Sequence, residues 1–381
     1  MSFLFLSEEQ SAIFAMASDF AAARIAPHAL EWDEKKHFPV DVLREAAALG
    51  LAAVYTGEEH GGSALTRFDA ALIFEALATG CPTVSAFLSI HNMCCWMVDT
   101  YGDAAQRAKY VPKLAAMDHI ASYCLTEADA GSDAAALKTS AKRDGDFYVL
   151  NGAKQFISGA GVSEMYIVMA RTGETGPNGI SAFIVEKGTQ GLSFGANEKK
   201  MGWNAQPTRS VIFDDVRVPA QNRLGTEGSG FKIAMSGLNG GRLNIGACSL
   251  GGAQAALDKA LAYMRERKAF GKKLTDFQAL QFRLADMVTE LQSARTLLHV
   301  AAKALDAKMP EATQLCAMAK LRATDAGFNV ANQALQMLGG YGYLSDYGLE
   351  KIVRDLRVHQ ILEGTNEIMR LIIAREMIGK L

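Results

Sequence analysis

The spacing of apolar residues changes twice along this chain, and that change limits the fold more than any other feature of the sequence. From Ser7 to about Met117 it is helical, in SAIFAMASDFAAARIAPHAL, PVDVLREAAALGLAAV, FDAALIFEALATG and, past a break at Tyr101-Gly102, DAAQRAKYVPKLAAM. Between about Ile120 and Leu224 it becomes that of short strands: Phe147 to Leu150, Met165 to Arg171, Ile180 to Lys187 and Ser210 to Val218. Turn groups at Asn151-Gly152, Gly173 to Gly179 and Asp214-Asp215 bound these strands. With no helices between them, they point to a small antiparallel barrel or sandwich. From Gly230 the pattern is helical again. The fold class expected is α+β in three domains: an N-terminal helical domain over 1–119, a middle β-barrel or sandwich over 120–226, and a C-terminal four-helix bundle over 227–381.

The longest helix is expected to open at Thr275, where Thr275 and Gln278 have capping-box spacing. Leu280, Leu284, Met287, Leu291, Ala294, Leu298, Ala301 and Leu305 then alternate steps of four and three. That heptad seam suits a four-helix bundle or a helix-mediated oligomer.

A net charge of -2 provides no basic surface field, so nucleic acid is not an expected partner. The first twenty residues lack a basic start ahead of a long apolar run. Ser7 and Gln10 carry the S-x-x-Q capping pattern there instead, so no signal or transit peptide is expected. Apolar runs fall short of the roughly 20 residues that span a membrane. Six cysteines without a C-x-x-C pair suggest reduced thiols in a cytoplasmic setting, or in the mitochondrial matrix for a processed form. His91, Cys94 and Cys95 resemble a metal corner. The surrounding FLSIHNMCCWMV is apolar throughout, however, so core packing is expected and no metal.

Five segments carry groups that a ligand could use. Tyr123 to Asp133 joins an apolar strand to a polar loop whose N–H groups and hydroxyls can bind a flavin edge or a pyrophosphate, or form only a surface turn. In Asn151 to Gly159, Phe156 offers a flat face and Ser158 a hydroxyl on the same side of a strand, which suits an isoalloxazine ring or an ordinary sheet core. Arg265 to Lys273 reads as a helix end capped by Gly271, with Arg267 and Phe270 on one face. Its basic residues also suit the helix dipole. Gln336 to Gly342 is a helix end entering a glycine turn. No G-x-G-x-x-G follows a strand, so a Rossmann site is not supported. In Ile361 to Arg370, Glu363 follows two large aliphatic residues and precedes a glycine, and Thr365 or Asn366 can cap the next helix. A carboxylate in apolar surroundings has a raised pKa and is poised to take a proton near neutral pH, although a surface-turn glutamate would read alike.

Taken together, TEADAGSD, NGAKQFISG, ERKAFGKKL, QMLGGYGY and ILEGTNEIMR resemble the successive signatures of the acyl-CoA dehydrogenase family, in family order, over about residues 10 to 376. The resemblance implies FAD as cofactor and a homotetramer in which a neighbouring subunit completes each flavin site. It implies that the stretch holding Tyr123, Leu125, Thr126, Gly131 and Ser132, together with Phe156, Ile157 and Ser158, holds the flavin ring. Arg267, Phe270, Phe277, Gln278, Gln336, Gly339 and Gly340 would reach a flavin bound mainly by the adjacent subunit. Thr365, Asn366 and Glu367 would cap the FAD of their own site. Ser132, Asn239, Gly240, Gly241, Arg242 and Arg375 would contact the CoA thioester. Two departures stand out: Phe156 where many members have Trp, and Ala128-Asp129 where Pro-Gly is common.

The same resemblance implies that Glu363 removes the proton α to the thioester while flavin N5 accepts a hydride from the β carbon. In some relatives the base lies on the helix of Asn239 to Arg242, which has no carboxylate here. Electrons would pass to an electron-transfer flavoprotein, or to oxygen in an oxidase. MGWNAQPTRSVIFDD, GLNGGRLNIG and RVHQILEG are most similar to members acting on short branched thioesters, which implies isobutyryl-CoA going to methacrylyl-CoA in valine breakdown. Alternatives are 2-methylbutyryl- or straight short-chain thioesters and, in another class, a non-catalytic flavin- or acyl-CoA-binding scaffold.

Overall fold

A computed structural model describes residues 6–379; residues 1–5 and 380–381, which the expected domain limits and the reading of the chain's start include, lie outside the described residues. The N-terminal helices are α1 (Glu8–Phe20), α2 (Ala29–Lys35), α3 (Val40–Ala48), α4 (Arg67–Gly80), α5 (Pro82–Tyr101) and α6 (Ala104–Ala115). The expected cap of α1 is present: the Gln10 N–H donates to Ser7 Oγ and the Ser7 N–H to Gln10 Oε1, both at 3.1 Å. Both α4 and α5 are buried on almost every side. A helix covered all round shows no apolar stripe, which is why α5 is visible in the sequence only as an apolar segment. His91 belongs to that core: its Nδ1 accepts the Ala121 N–H at 3.1 Å, and Nε2 lies 2.9 Å from the Leu114 carbonyl. All six cysteines are buried and free.

The middle strands are β1 (Ala121–Cys124), β2 (Ser140–Asp144), β3 (Phe147–Ser158), β4 (Met165–Arg171), β5 (Ile180–Glu186), β6 (Leu192–Phe194), β7 (Thr208–Pro219) and β8 (Arg223–Leu224). They form one sheet in the order β6-β7-β3-β2-β4-β5-β8, with β1 added on β4. Of the expected antiparallel barrel or sandwich, this corrects the barrel reading and the purely antiparallel pairing. The sheet is open between two very short edge strands, and β4 pairs in parallel with β1 and β2. Asn151-Gly152 is not a tight turn either, because the register shifts there inside β3. Asn151 exchanges hydrogen bonds with Asp215 on β7 at 2.9 and 3.0 Å, and Gly152 takes φ +142°. Asn-Gly thus serves a bulge, which needs the same backbone freedom as a turn.

The C-terminal part holds α7 (Gly230–Glu266), the hairpin β9 (Lys268–Ala269) and β10 (Lys272–Lys273), α8 (Gln278–Asp306), α9 (Ala312–Met337), α10 (Leu349–Arg357) and α11 (Asn366–Ile378). The three long helices pack on one another, α10 and α11 pack on α9, and α4 packs on α7 and α8. Met287, Leu291, Ala294, Leu298 and Ala301 of the seam are buried. Two expectations need correction here. The chain enters α8 through a 3-10 turn, so Phe277 rather than Thr275 precedes the helix and no side chain caps it. Gly271 does not end α7; Phe270 and Gly271, at φ +52° and +77°, form the two-residue tip of the hairpin, as type I′ turns require.

Asp355 binds the parts together. Its Oδ1 accepts the Trp203 N–H at 2.6 Å, and its Oδ2 accepts Thr83 Oγ1 at 2.9 Å and Lys351 Nζ at 2.6 Å, all buried. Asp355→Ala is expected to cost about 3–5 kcal/mol, because Lys351 is left charged and buried without its partner. Urea unfolding checks this, and a loss below about 1 kcal/mol would contradict it.

Candidate active site

The turn that carries Glu363 is unusual in its backbone. After α10 and a 3-10 turn, Glu363 takes φ +56° and Gly364 φ +89°, and Thr365 then caps α11 by accepting the Ile368 N–H at 3.3 Å. A left-handed glutamate is strained, and such strain persists only where the surroundings hold it. Two cations do so here. Lys320 Nζ donates to the Gly364 carbonyl and to Asn366 Oδ1, each at 2.8 Å, and Arg242 Nε reaches the Glu363 carbonyl at 3.4 Å. Asn366 also donates to Thr324 Oγ1 at 3.0 Å and Asp325 Oδ1 at 2.7 Å.

The side chain of Glu363 points inward. Its Oε2 is buried with no hydrogen-bond partner, and so is the Tyr123 hydroxyl. A Cβ on Gly241 would stand 2.6 Å from that Oε2, so the glycine is what admits the carboxyl group beside α7. Burial pushes Glu363 from the usual carboxylate value up to about 7, against the pull of Arg242 and Lys320. Burial likewise brings Lys320 down to about 8.

The sequence-derived residues fall into two groups. The first lies on the 123–132 loop, β3, α7 and α11, and of it Gly241 and Arg242 stand against Glu363. Phe156 takes φ +60° at a second register shift in β3 and is 66% exposed, so the bulge turns its ring outward. Ser158 is half-buried and accepts Gln206 Nε2 at 3.2 Å, whereas Ile157 and Leu125 have buried side chains and only their backbones can face a ligand. Thr126 is half-buried; Gly131 and Ser132 are exposed, with open space where a Gly131 Cβ would be. Arg242 donates to Asn239 Oδ1 at 2.8 Å, and Gly240 and Gly241 line the bare face of α7. Glu367 and Arg375 are exposed on α11, with Arg375 in its last turn.

The second group is Arg267, Phe270, Phe277, Gln278, Gln336, Gly339 and Gly340. Phe270 is 94% exposed and meets Phe277 edge-on at 6.3 Å, and the Arg267 guanidinium lies 5.8 Å from the Tyr341 ring. Arg267 stands 25 residues beyond Arg242 along α7, about 38 Å at the helical rise. One chain therefore does not unite the two groups. Arg267 and Phe270 also do not share a helix face, since the helix ends at Glu266.

Sequence reasoning missed the residues that hold the site in place. Lys154 Nζ donates to the Leu125 carbonyl at 2.9 Å and to Glu127 Oε1 at 2.8 Å, while Glu127 accepts the N–H groups of Lys138 and Thr139. That buried pair fixes the 125–139 loop. The available signal for Lys320 was a lysine four residues from Cys316 and Thr324 on an alanine-rich helix face.

Comparison with known proteins agrees with this architecture. Models of the acyl-CoA dehydrogenase N-terminal, middle and C-terminal domains match residues 7–118, 122–216 and 228–378. The chain belongs to the acyl-CoA dehydrogenase family. Like the family, it is an oxidoreductase. It is 55% identical over 98% of its length to the mitochondrial isobutyryl-CoA dehydrogenase of Bos taurus, 90% of which is covered. It is also similar to the structure of butyryl-CoA dehydrogenase from Megasphaera elsdenii, with TM-score 0.95, 38% identity and 99% and 100% of the two chains covered. A structure described as PigA with FAD and proline matches with TM-score 0.95, 31% identity and 99% of each chain covered. No described helix of this family member is long and apolar enough to cross a membrane.

The raised Glu363 value has a consequence for stability. Between about pH 4.5 and pH 7 the unfolded chain ionises this group while the folded protein keeps it protonated, so the parent loses stability relative to a neutral isostere as pH rises. Glu363→Gln is therefore expected to gain up to about 3 kcal/mol on the parent between about pH 5 and pH 8. Urea unfolding at one fixed flavin concentration measures this, and a difference that does not change with pH would refute it.

Proposed function

We propose that this protein desaturates a short branched acyl-CoA, most readily isobutyryl-CoA to methacrylyl-CoA, with Glu363 as the base and FAD as electron acceptor. One observation carries the reading: a buried carboxyl oxygen with no partner, on a group whose value burial brings to about 7. A general base needs that value and an acceptor oxygen free for the substrate proton. A scaffold that only bound a flavin or a thioester would have no use for an unpaired buried carboxylate. The 55% identity to an isobutyryl-CoA dehydrogenase supports the branched substrate over 2-methylbutyryl- or straight short-chain thioesters.

The residues present fit a flavin. The outward ring of Phe156 would supply an aromatic face, and the open space at Gly131, the Ser158 hydroxyl and the unpaired Tyr123 hydroxyl would supply room and polar groups for its rim. A relative of this fold is described with FAD. When bound, FAD supplies the acceptor for the hydride leaving the β carbon. The protein's own part is to take the α proton on Glu363 Oε2 and to hold the thioester. The Glu363 N–H makes no hydrogen bond among the described residues and can donate to the thioester oxygen. Such a donor matters because a carboxylate cannot remove an unpolarised α proton, and one donor is typically worth about 10²–10³ in rate. The burial that raises Glu363 would also keep water from the reaction.

The second group of residues, whose Arg267 stands about 38 Å along α7 from Arg242, suits a flavin held mainly by an adjacent subunit of a homotetramer. An electron-transfer flavoprotein would then take the electrons. The Bos taurus relative is named as mitochondrial, and six buried free thiols suit a reducing compartment such as the matrix or the cytoplasm. Glu363→Gln is expected to remain yellow with bound FAD yet lose anaerobic bleaching by isobutyryl-CoA by at least about 10³-fold in rate. Bleaching at the parental rate would remove the assignment.

A further inference from the structure

A second unpaired group stands near Glu363, and the chemistry above does not use it. Arg67 is the first residue of α4, and its Nη1 is buried with no hydrogen-bond partner. The guanidinium lies 3.5 Å from the centroid of the Tyr55 ring and 4.7 Å from that of Trp96. Asn244 Nδ2 holds the Tyr55 hydroxyl at 3.2 Å. Aromatic rings thus stabilise the cation, while one edge lacks an acceptor.

The bare face of α7 shows where that edge points. Gly237, Gly240, Gly241 and Asn244 share one face at the spacing of helical neighbours. A Cβ on Gly240 would stand 2.4 Å from Arg67 Nη1, and one on Gly237 would stand 2.1 Å from Met97 Cε. Glu363 Oε2 approaches the adjacent Gly241 in the same way. Because neighbouring Cα atoms are 3.8 Å apart, the two orphaned atoms lie at most about 12 Å from one another.

We propose that Arg67 is the chain-length determinant, closing the acyl slot at the end opposite Glu363. The assignment rests on the function proposed above. A short acyl group stops before the guanidinium edge. Each added methylene carries a longer chain toward the guanidinium, which packs against Tyr55, Trp96 and Gly240, until the chain end meets atoms with no room to move. Extra methylenes forced into a filled site push side chains off their preferred conformations. The penalty is on the order of tenfold to a hundredfold in kcat/KM.

The holoenzyme, Arg67→Met and Arg67→Gln are assayed on isobutyryl-, butyryl-, hexanoyl- and octanoyl-CoA. In the parent, kcat/KM should fall at least about tenfold from butyryl- to hexanoyl-CoA, and in Arg67→Met the hexanoyl-to-isobutyryl ratio should rise by at least the same factor. A parent that oxidises hexanoyl-CoA as well as butyryl-CoA overturns the proposal whether or not the variants fold. So does an unchanged ratio in a variant with the parental flavin spectrum. A parent that oxidises no acyl-CoA overturns the proposed function, and this assignment with it.

Discussion

A carboxyl oxygen held buried and unpaired is costly, and much of the structure around residue 363 maintains that condition. The left-handed turn at Glu363 and Gly364 directs the side chain inward. Lys320 and Arg242 satisfy the carbonyls of that turn and leave the carboxyl oxygen alone. Gly241 supplies the space that any larger residue would fill. The two cations also oppose burial, so the group settles near neutrality instead of far above it.

The long helix α7 organises the rest. Its bare glycine face meets Glu363 at Gly241 and Arg67 at Gly240, while its far end leads into the hairpin that displays Phe270. The middle sheet supplies the complementary wall through bulges in β3, one of which turns Phe156 outward. Asp355 on α10 joins this wall to the N-terminal helices through Trp203 and Thr83. The two walls are thus tied together at a buried carboxylate that accepts hydrogen bonds from distant parts of the chain.

Much of this was legible in the sequence because it is local. The switch from helical to strand spacing and back, the Ser7 cap and the turn after Ile361-Leu362 all follow from neighbours within a few residues. What was not legible depends on contacts distant in sequence. The choice between a barrel and an open sheet is not legible, because strand length and alternation do not show which edges meet. Asn151-Gly152 and Gly271 were assigned the wrong irregular structure, since a bulge, a hairpin tip and a helix end all call for positive φ. Lys320, Lys154 and Arg67 were missed because a buried cation has meaning only beside its partners. The family resemblance drew attention to the segment containing Glu363, but the unpaired state of its oxygen is visible only in three dimensions.

The most direct test of the account is the ionisation of Glu363 itself. Infrared difference spectra of the parent against Glu363→Gln, recorded across pH, isolate the carboxylic-acid carbonyl band of this one group. That band should persist well above the ordinary carboxylate range and disappear with a midpoint near 7. A midpoint at the usual value near 4.5 would mean a solvated carboxylate, and the central claim would fail.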